Sequence, residues 1–141
     1  TISDLGILRD VRWLESEEIL EVVITPTYSG CPAMNAIEVN IRAALQEGGF
    51  ERLRVTTVLQ PAWTTDWLSE SGRQKLETYG IAPPASASLD KKALLGERQA
   101  LRCPQCQSTN TEMISQFGST ACKALFRCLD CLEPFDYFKC H

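Results

Sequence analysis

Histidine is almost absent from this chain: His141, its last residue, is the only one. A Cys–His or Ser–His–Asp centre would require the tail to fold back onto a nucleophile, and no second histidine exists to build a paired-His metal motif. There is no glycine-rich phosphate loop, which removes nucleotide chemistry of that type. No apolar run approaches the roughly 20 residues needed to cross a bilayer, so no membrane partner is expected. The opening Thr1-Ile2-Ser3-Asp4 has neither an initiator Met nor a basic-then-apolar leader. A basic stripe interleaved with aromatics is also missing, which argues against nucleic acid as a partner. No convincing catalytic centre emerges, and a non-enzymatic role is expected.

The residues that are present describe a globular chain. Hydrophobic residues make up 44% and charged residues 23% of 141, a length that suits one ordinary domain or two small ones. Net charge is −4 and unevenly shared. Residues 1–80 carry seven Lys/Arg against twelve Asp/Glu, whereas residues 81–141 carry seven against six. The acidic first part suits solubility or a protein partner. Cysteine is the residue in surplus. Seven of them, an odd number with metal-type spacing, favour a reducing cytoplasm over a disulfide scaffold.

Four of these cysteines organise the tail. Cys103-Pro104-Gln105-Cys106 and Cys128-Leu129-Asp130-Cys131 are two Cys-x2-Cys knuckles, with 21 residues between them to form a β-hairpin. Four thiolates complete a tetrahedral shell, so one structural zinc per chain is expected and no position stays open for substrate. Iron, a cluster or disulfides are the alternatives that the same spacing leaves. A hairpin of this size buries too little apolar surface to fold alone, and the metal would supply much of its folding energy.

Ahead of the tail, residues 7–14 and 18–27 read as strands joined by Glu15-Ser16-Glu17, an antiparallel hairpin. A helix follows Pro32 and runs to about Glu47, before Gly48-Gly49. Its Met34, Ile37, Ile41 and Leu45 recur at helical spacing and indicate a core stripe rather than a Met-lined groove. A third strand is expected over 50–60. Thr64 or Thr65 would then cap a second helix to Tyr79, with Leu68 and Leu76 inward and Gly80 at its end. The fold class is therefore α+β, a small mixed β-sheet covered by two helices in the order β-β-α-β-α, followed by a C-terminal four-Cys zinc ribbon. The expected domains are 1–83, a linker at 84–101 rich in proline and small residues, and the ribbon at 102–141 with strands near 109–116 and 123–127.

Cys31, between Gly30 and Pro32 at the expected helix start, is the interesting thiol of the first part. Amides and dipole at a helix N-terminus stabilise a thiolate suited to nucleophilic attack or soft-metal binding. A buried small hydrophobe is the plain alternative. Cys122 and Cys140 are unassigned: one could replace a knuckle cysteine, they could bind a second ion together with His141, or Cys122 could simply fill the ribbon core.

Several stretches carry a resemblance. Asp4-Leu5-Gly6-Ile7, Thr25-Pro26-Thr27-Tyr28-Ser29-Gly30-Cys31-Pro32 and Pro61-Ala62-Trp63-Thr64-Thr65-Asp66-Trp67 resemble the α/β domain of SufT-like iron–sulfur assembly factors. With Gly80-Ile81-Ala82-Pro83-Pro84, Gly118-Ser119-Thr120-Ala121-Cys122-Lys123-Ala124-Leu125-Phe126-Arg127-Cys128 and Glu133-Pro134-Phe135-Asp136-Tyr137-Phe138-Lys139, essentially the whole chain is similar to the PaaD (PaaJ) family, which belongs to the phenylacetyl-CoA epoxidase (ring-oxygenase) system of aerobic phenylacetate catabolism. The family's upstream Asp-Pro-Glu has no counterpart here. The resemblance implies an accessory protein that matures a metal centre of the oxygenase or its reductase, which would be its protein partners. It implies transient iron or an iron–sulfur cluster at Cys31, with Thr27, Trp63, Thr64 and Asp66 shaping the same mouth. A homodimer is compatible with all of this.

Overall fold

A short polar turn between two β-rich runs predicts a hairpin, and the computed structural model, which describes residues 1–84 and 101–139, contains one. Strand β1 (Leu8–Leu14) pairs antiparallel with β2 (Ile19–Ile24), with a register irregularity between Leu8 and Asp10. The chain then crosses through helix α1 (Met34–Glu47), and strand β3 (Leu53–Thr57) joins β2 in parallel. A parallel neighbour demands a long crossover, and α1 is that crossover. The result is a mixed three-stranded sheet with β2 at its centre.

Alternation explains where the core lies. Val22 and Ile24 of β2, Val55 of β3 and Ile7 meet Met34, Ile37, Ile41 and Leu45 of α1, so the helical stripe is indeed core. The opposite face of β2 carries Glu21, buried despite its charge. Its carboxylate accepts hydrogen bonds from the Arg12 guanidinium and the Thr56 hydroxyl, both at 2.7 Å, the pairing that a buried carboxylate requires. The hydroxyl first and the guanidinium second hold its pKa below the ordinary carboxylate value.

After β3, expectation and structure part in detail. Thr65–Trp67 forms a separate 3-10 turn, and Leu68 returns to extended backbone, so neither Thr64 nor Thr65 caps the second helix. That helix, α2 (Glu70–Thr78), begins after Ser69, whose hydroxyl accepts the Gly72 amide at 2.9 Å. Gly80, at φ 78°, closes it as expected. Strand β4 (Ile81–Ala82) comes next, followed by β5 (Thr111–Ser115), β6 (Lys123–Cys128) and β7 (Pro134–Phe138). These make a second sheet in the order β4-β7-β6-β5, with β4 parallel to β7 and the other pairs antiparallel. Strand β7, not anticipated, starts on a proline, which an edge or a first strand position tolerates.

The chain divides into two compact units, Thr1–Trp63 and Thr64–His141. This division lies ahead of the sequence-based boundary at 83, because β4 hydrogen-bonds to β7 and takes α2 with it. The Arg73 guanidinium fastens the 64–84 stretch internally, donating to the Thr65 carbonyl at 3.1 Å and to the Pro84 carbonyl. The linker expected at 84–101 lies almost wholly outside the described residues.

Candidate metal centre

Each knuckle is built in the same way. The Cys103 amide donates to the Ser108 carbonyl at 2.8 Å, and the Cys128 amide donates to the Glu133 carbonyl at 3.0 Å. To turn back within so few residues, the residue after each second cysteine adopts left-handed backbone: Gln107 at φ 64° and Leu132 at φ 65°. Strand pairing of β5 with β6 brings the two turns together, with Thr111 opposite Cys128.

The four Sγ atoms of Cys103, Cys106, Cys128 and Cys131 lie within 4.8 Å of one another. Cys106 and Cys128 are 3.5 Å apart, Cys103 and Cys131 3.8 Å. A regular tetrahedron with zinc–sulfur bonds of about 2.3 Å has edges of about 3.8 Å, so the donors fit a closed four-sulfur site. These separations are non-bonded contacts, far from the roughly 2.05 Å of a disulfide, and the disulfide alternative is not what forms. One side of the tetrad is dry. Cys103 and Cys128 are fully buried in a cluster with Ala82, Leu101, Ala124, Phe126, Phe135 and Tyr137. Within it Phe126 stacks on Phe135 with ring centroids 6.0 Å apart and meets Tyr137 edge-on at 5.7 Å.

Crowding of the thiols sets their protonation. The Cys131 amide, with help from the Asp130 amide, draws Cys128 down to about 7. Cys131 is pulled down by the Glu133 backbone, yet burial and the three neighbouring sulfurs outweigh that and push it up to about 12. Cys106 is shifted by the same kinds of contact: the Ser108 backbone lowers it, the Cys128 sulfur and burial raise it, and the net direction is up. Without a cation the tetrad resists full ionisation, and a dication relieves that repulsion.

A polar clasp, not foreseen from the sequence, ties the knuckles together. Asp130 of the second knuckle accepts hydrogen bonds from the Ser108 hydroxyl and, at 2.7 Å, from the Asn110 side chain, both just beyond the first. The Leu129 amide adds a bond to the Asn110 carbonyl at 2.8 Å. The hydroxyl first and the amide second hold the Asp130 carboxyl below its ordinary value. The only hint in the sequence is that Ser, Asn and Asp are turn-forming types.

Cys122 is not part of the tetrad. It is half-buried beside the Thr120 hydroxyl, 3.1 Å away, and its carbonyl accepts the Lys139 amide at 3.0 Å. Cys140 and His141 lie outside the described residues. In the first unit, Thr27 is buried and Cys31 half-buried on the loop between β2 and α1. The expected placement of Cys31 at the helix start is off by part of a turn: Ala33 is the N-cap, and the Cys31 amide donates to the Tyr28 carbonyl at 3.2 Å. Trp63 is buried, its indole N–H donating to the Leu5 carbonyl at 2.8 Å. Thr64 and Asp66 belong to the second unit, Thr64 half-buried and Asp66 exposed.

A small α+β unit together with a four-cysteine ribbon defines the class: an α+β protein with a four-sulfur metal site. The profile of the PaaD zinc beta ribbon domain matches residues 87–139. An Escherichia coli (strain K12) protein, provisionally named as the D subunit of 1,2-phenylacetyl-CoA epoxidase, is 48% identical over 140 residues, covering 99% of this chain and 81% of that protein. The chain belongs to this PaaD family of phenylacetyl-CoA epoxidase components. The crystal structure of a domain of unknown function, DUF59, from Bacillus anthracis is 25% identical with a TM-score of 0.49, covering 53% of this chain and 72% of that one. Both the tetrad and the ribbon profile support zinc as the bound ion. Among the described residues no helix is long and apolar enough to cross a membrane.

Proposed function

We propose that this chain is a non-catalytic accessory subunit of a phenylacetyl-CoA epoxidase system in aerobic phenylacetate catabolism, acting in the cytoplasm to help assemble an iron or iron–sulfur centre in the oxygenase or its reductase. The observation that carries this reading is the 48% identity to the Escherichia coli epoxidase component across 99% of the chain. Cys103, Cys106, Cys128 and Cys131 would hold structural zinc; with every coordination position taken by protein sulfur, the ion keeps the ribbon folded as a surface for the client and performs no chemistry on substrate. Of the thiols outside the tetrad, Cys31 is the one we assign to handle cargo. Its half-buried loop position suits transient sulfur ligation of iron, with Thr27 nearby in sequence and Trp63 as scaffold.

The test is Cys31→Ser in the full chain, co-expressed with the epoxidase subunits. Folding and zinc content should be unchanged while the iron content of the client falls. Full iron loading would overturn the assembly role, and co-purification in fixed ratio under those conditions would assign a structural subunit instead.

A further inference from the structure

One end of the first sheet gathers exposed aromatic rings and carboxylates outside the metal site and the Cys31 loop. Trp13, near the end of β1, lies opposite Leu20, and the Leu20 amide donates to the Arg52 carbonyl at 3.0 Å. These pairings bring the β1–β2 turn beside the loop that leaves α1. In that loop Gly49, at φ 88°, reverses the chain, and the Phe50 amide donates to the Leu45 carbonyl at 3.0 Å. Trp13, Glu18, Gly49, Phe50, Glu51 and Arg52 line one cleft of about 350 Å³. Trp13 is 52% and Phe50 42% exposed, and among the described residues neither ring meets another ring or a cation. Charge around the cleft is one-sided. Residues 1–63 hold five Lys/Arg against nine Asp/Glu, so this unit carries the whole formal charge of −4. Five of the nine acids, Glu15, Glu17, Glu18, Glu47 and Glu51, belong to the turn and to the end of α1 with its loop. Arg52 pairs with Glu18 at 3.0 Å and Arg54 pairs with Glu17, whereas among the described residues no cation pairs with Glu15, Glu47 or Glu51. The last turn of α1 contains no basic residue either, so the negative end of the helix dipole adds to the same potential.

We propose that this cleft receives an arginine side chain from a segment of a partner protein. A guanidinium is flat, stacks on aromatic rings and donates in a fork to a carboxylate. Trp13 and Phe50 supply the aromatic surface, and Glu51 supplies a carboxylate with no cation of its own. Arginine is also more weakly hydrated than lysine, so it enters beside apolar rings at lower cost. Charge complementarity selects the occupant. A phosphate-bearing polymer or an anionic lipid surface meets repulsion here, and a second copy of the chain brings the same negative sign. A basic segment is drawn in and then anchored by the rings, a pairing of Trp with Arg that dominates many protein interfaces. None of this depends on the maturation role.

Titrating the full, zinc-loaded chain with a labelled Leu-Arg-Leu-Arg-Leu peptide tests it, with anisotropy for affinity and amide chemical shifts for location. The peptide should bind, less tightly as salt rises from about 20 to about 300 mM, with shifts centred on Gly49, Phe50 and Glu51. Replacing its arginines by lysine should weaken binding, and replacing them by glutamate should abolish it. Glu51→Arg, at an exposed position, sets like charges together and should weaken binding about tenfold or more. Trp13→Ala should weaken it about threefold, the worth of an exposed cation–ring contact. Zinc content and protection of the Val22 amide, unchanged in both variants, show that the fold is kept. Absence of binding overturns the proposal, as do undiminished affinity in Glu51→Arg, equal binding of the lysine or glutamate peptide, or shifts centred elsewhere. Self-association of the chain that Glu51→Arg abolishes would give the cleft to a second copy and overturn it too. Should Trp13→Ala fail to fold, Glu51→Arg and the shift map decide.

Discussion

Stripping the metal at controlled pH should expose how tightly the tail depends on it. Cys131 near 12 and Cys106, raised, both carry protons at pH 7, whereas Cys128 near 7 is already partly ionised. Zinc must displace at least the two protons on Cys131 and Cys106. Each released proton changes apparent affinity tenfold per pH unit, so binding should tighten at least about a hundredfold from pH 6 to pH 7. The sign follows from mass action, since fewer protons compete as pH rises. Competition against a chromophoric chelator measures the slope. Hydrogen exchange on the chelated protein measures the structural consequence. The buried Cys103 and Cys128 amides, bonded across their knuckles, should lose protection, while those of Val22 and Ile24 in the first sheet keep theirs. A slope clearly below two, or a stripped ribbon with protection intact, would refute the reasoning.

Two further outcomes test the polar contacts. Asp130→Ala removes the clasp between the knuckles and should weaken zinc binding by about 10- to 100-fold in the same competition, the usual effect of losing outer support for metal ligands; an unchanged affinity would show that the knuckles are positioned without it. Glu21, whose carboxyl is held below its ordinary value of 4.5 by Thr56 and then Arg12, stabilises the fold when ionised. That contribution is present above 4.5 and fades as pH drops through the depressed value, so the stability gap between the native chain and Glu21→Gln, followed by urea unfolding, should shrink from pH 7 towards pH 3. A gap independent of pH would assign the loss to packing alone.

Much of this architecture can be read before any coordinates are seen. The Met34-Ile37-Ile41-Leu45 stripe locates the helical side of the first core, because helical period and burial are coupled directly, whereas β2 is buried on both faces and shows no such period. Knuckle spacing locates the four sulfurs for a similar reason: few backbone paths let two cysteines with two residues between them face one point. What stays hidden depends on partners distant in sequence. Ser69 supplants Thr64 and Thr65 as cap because Leu68 must be extended to bury. Ile81-Ala82 is too short to register as a strand until β7, more than fifty residues later, offers its edge. Asp130 looks like any exposed turn carboxylate until Ser108 and Asn110 close on it.

The two-residue β4 has a practical outcome for anyone dissecting the molecule. A fragment ending at Pro83 would carry α2 and its 3-10 turn stripped of the strand that β4 grips, and would also lose the Pro84 carbonyl that Arg73 holds. A fragment beginning at Arg102 would bare the flank of β7 and invite clumping. Cutting between Trp63 and Thr64 leaves both hydrogen-bonded sheets whole, and it is there that separate expression should yield well-behaved halves.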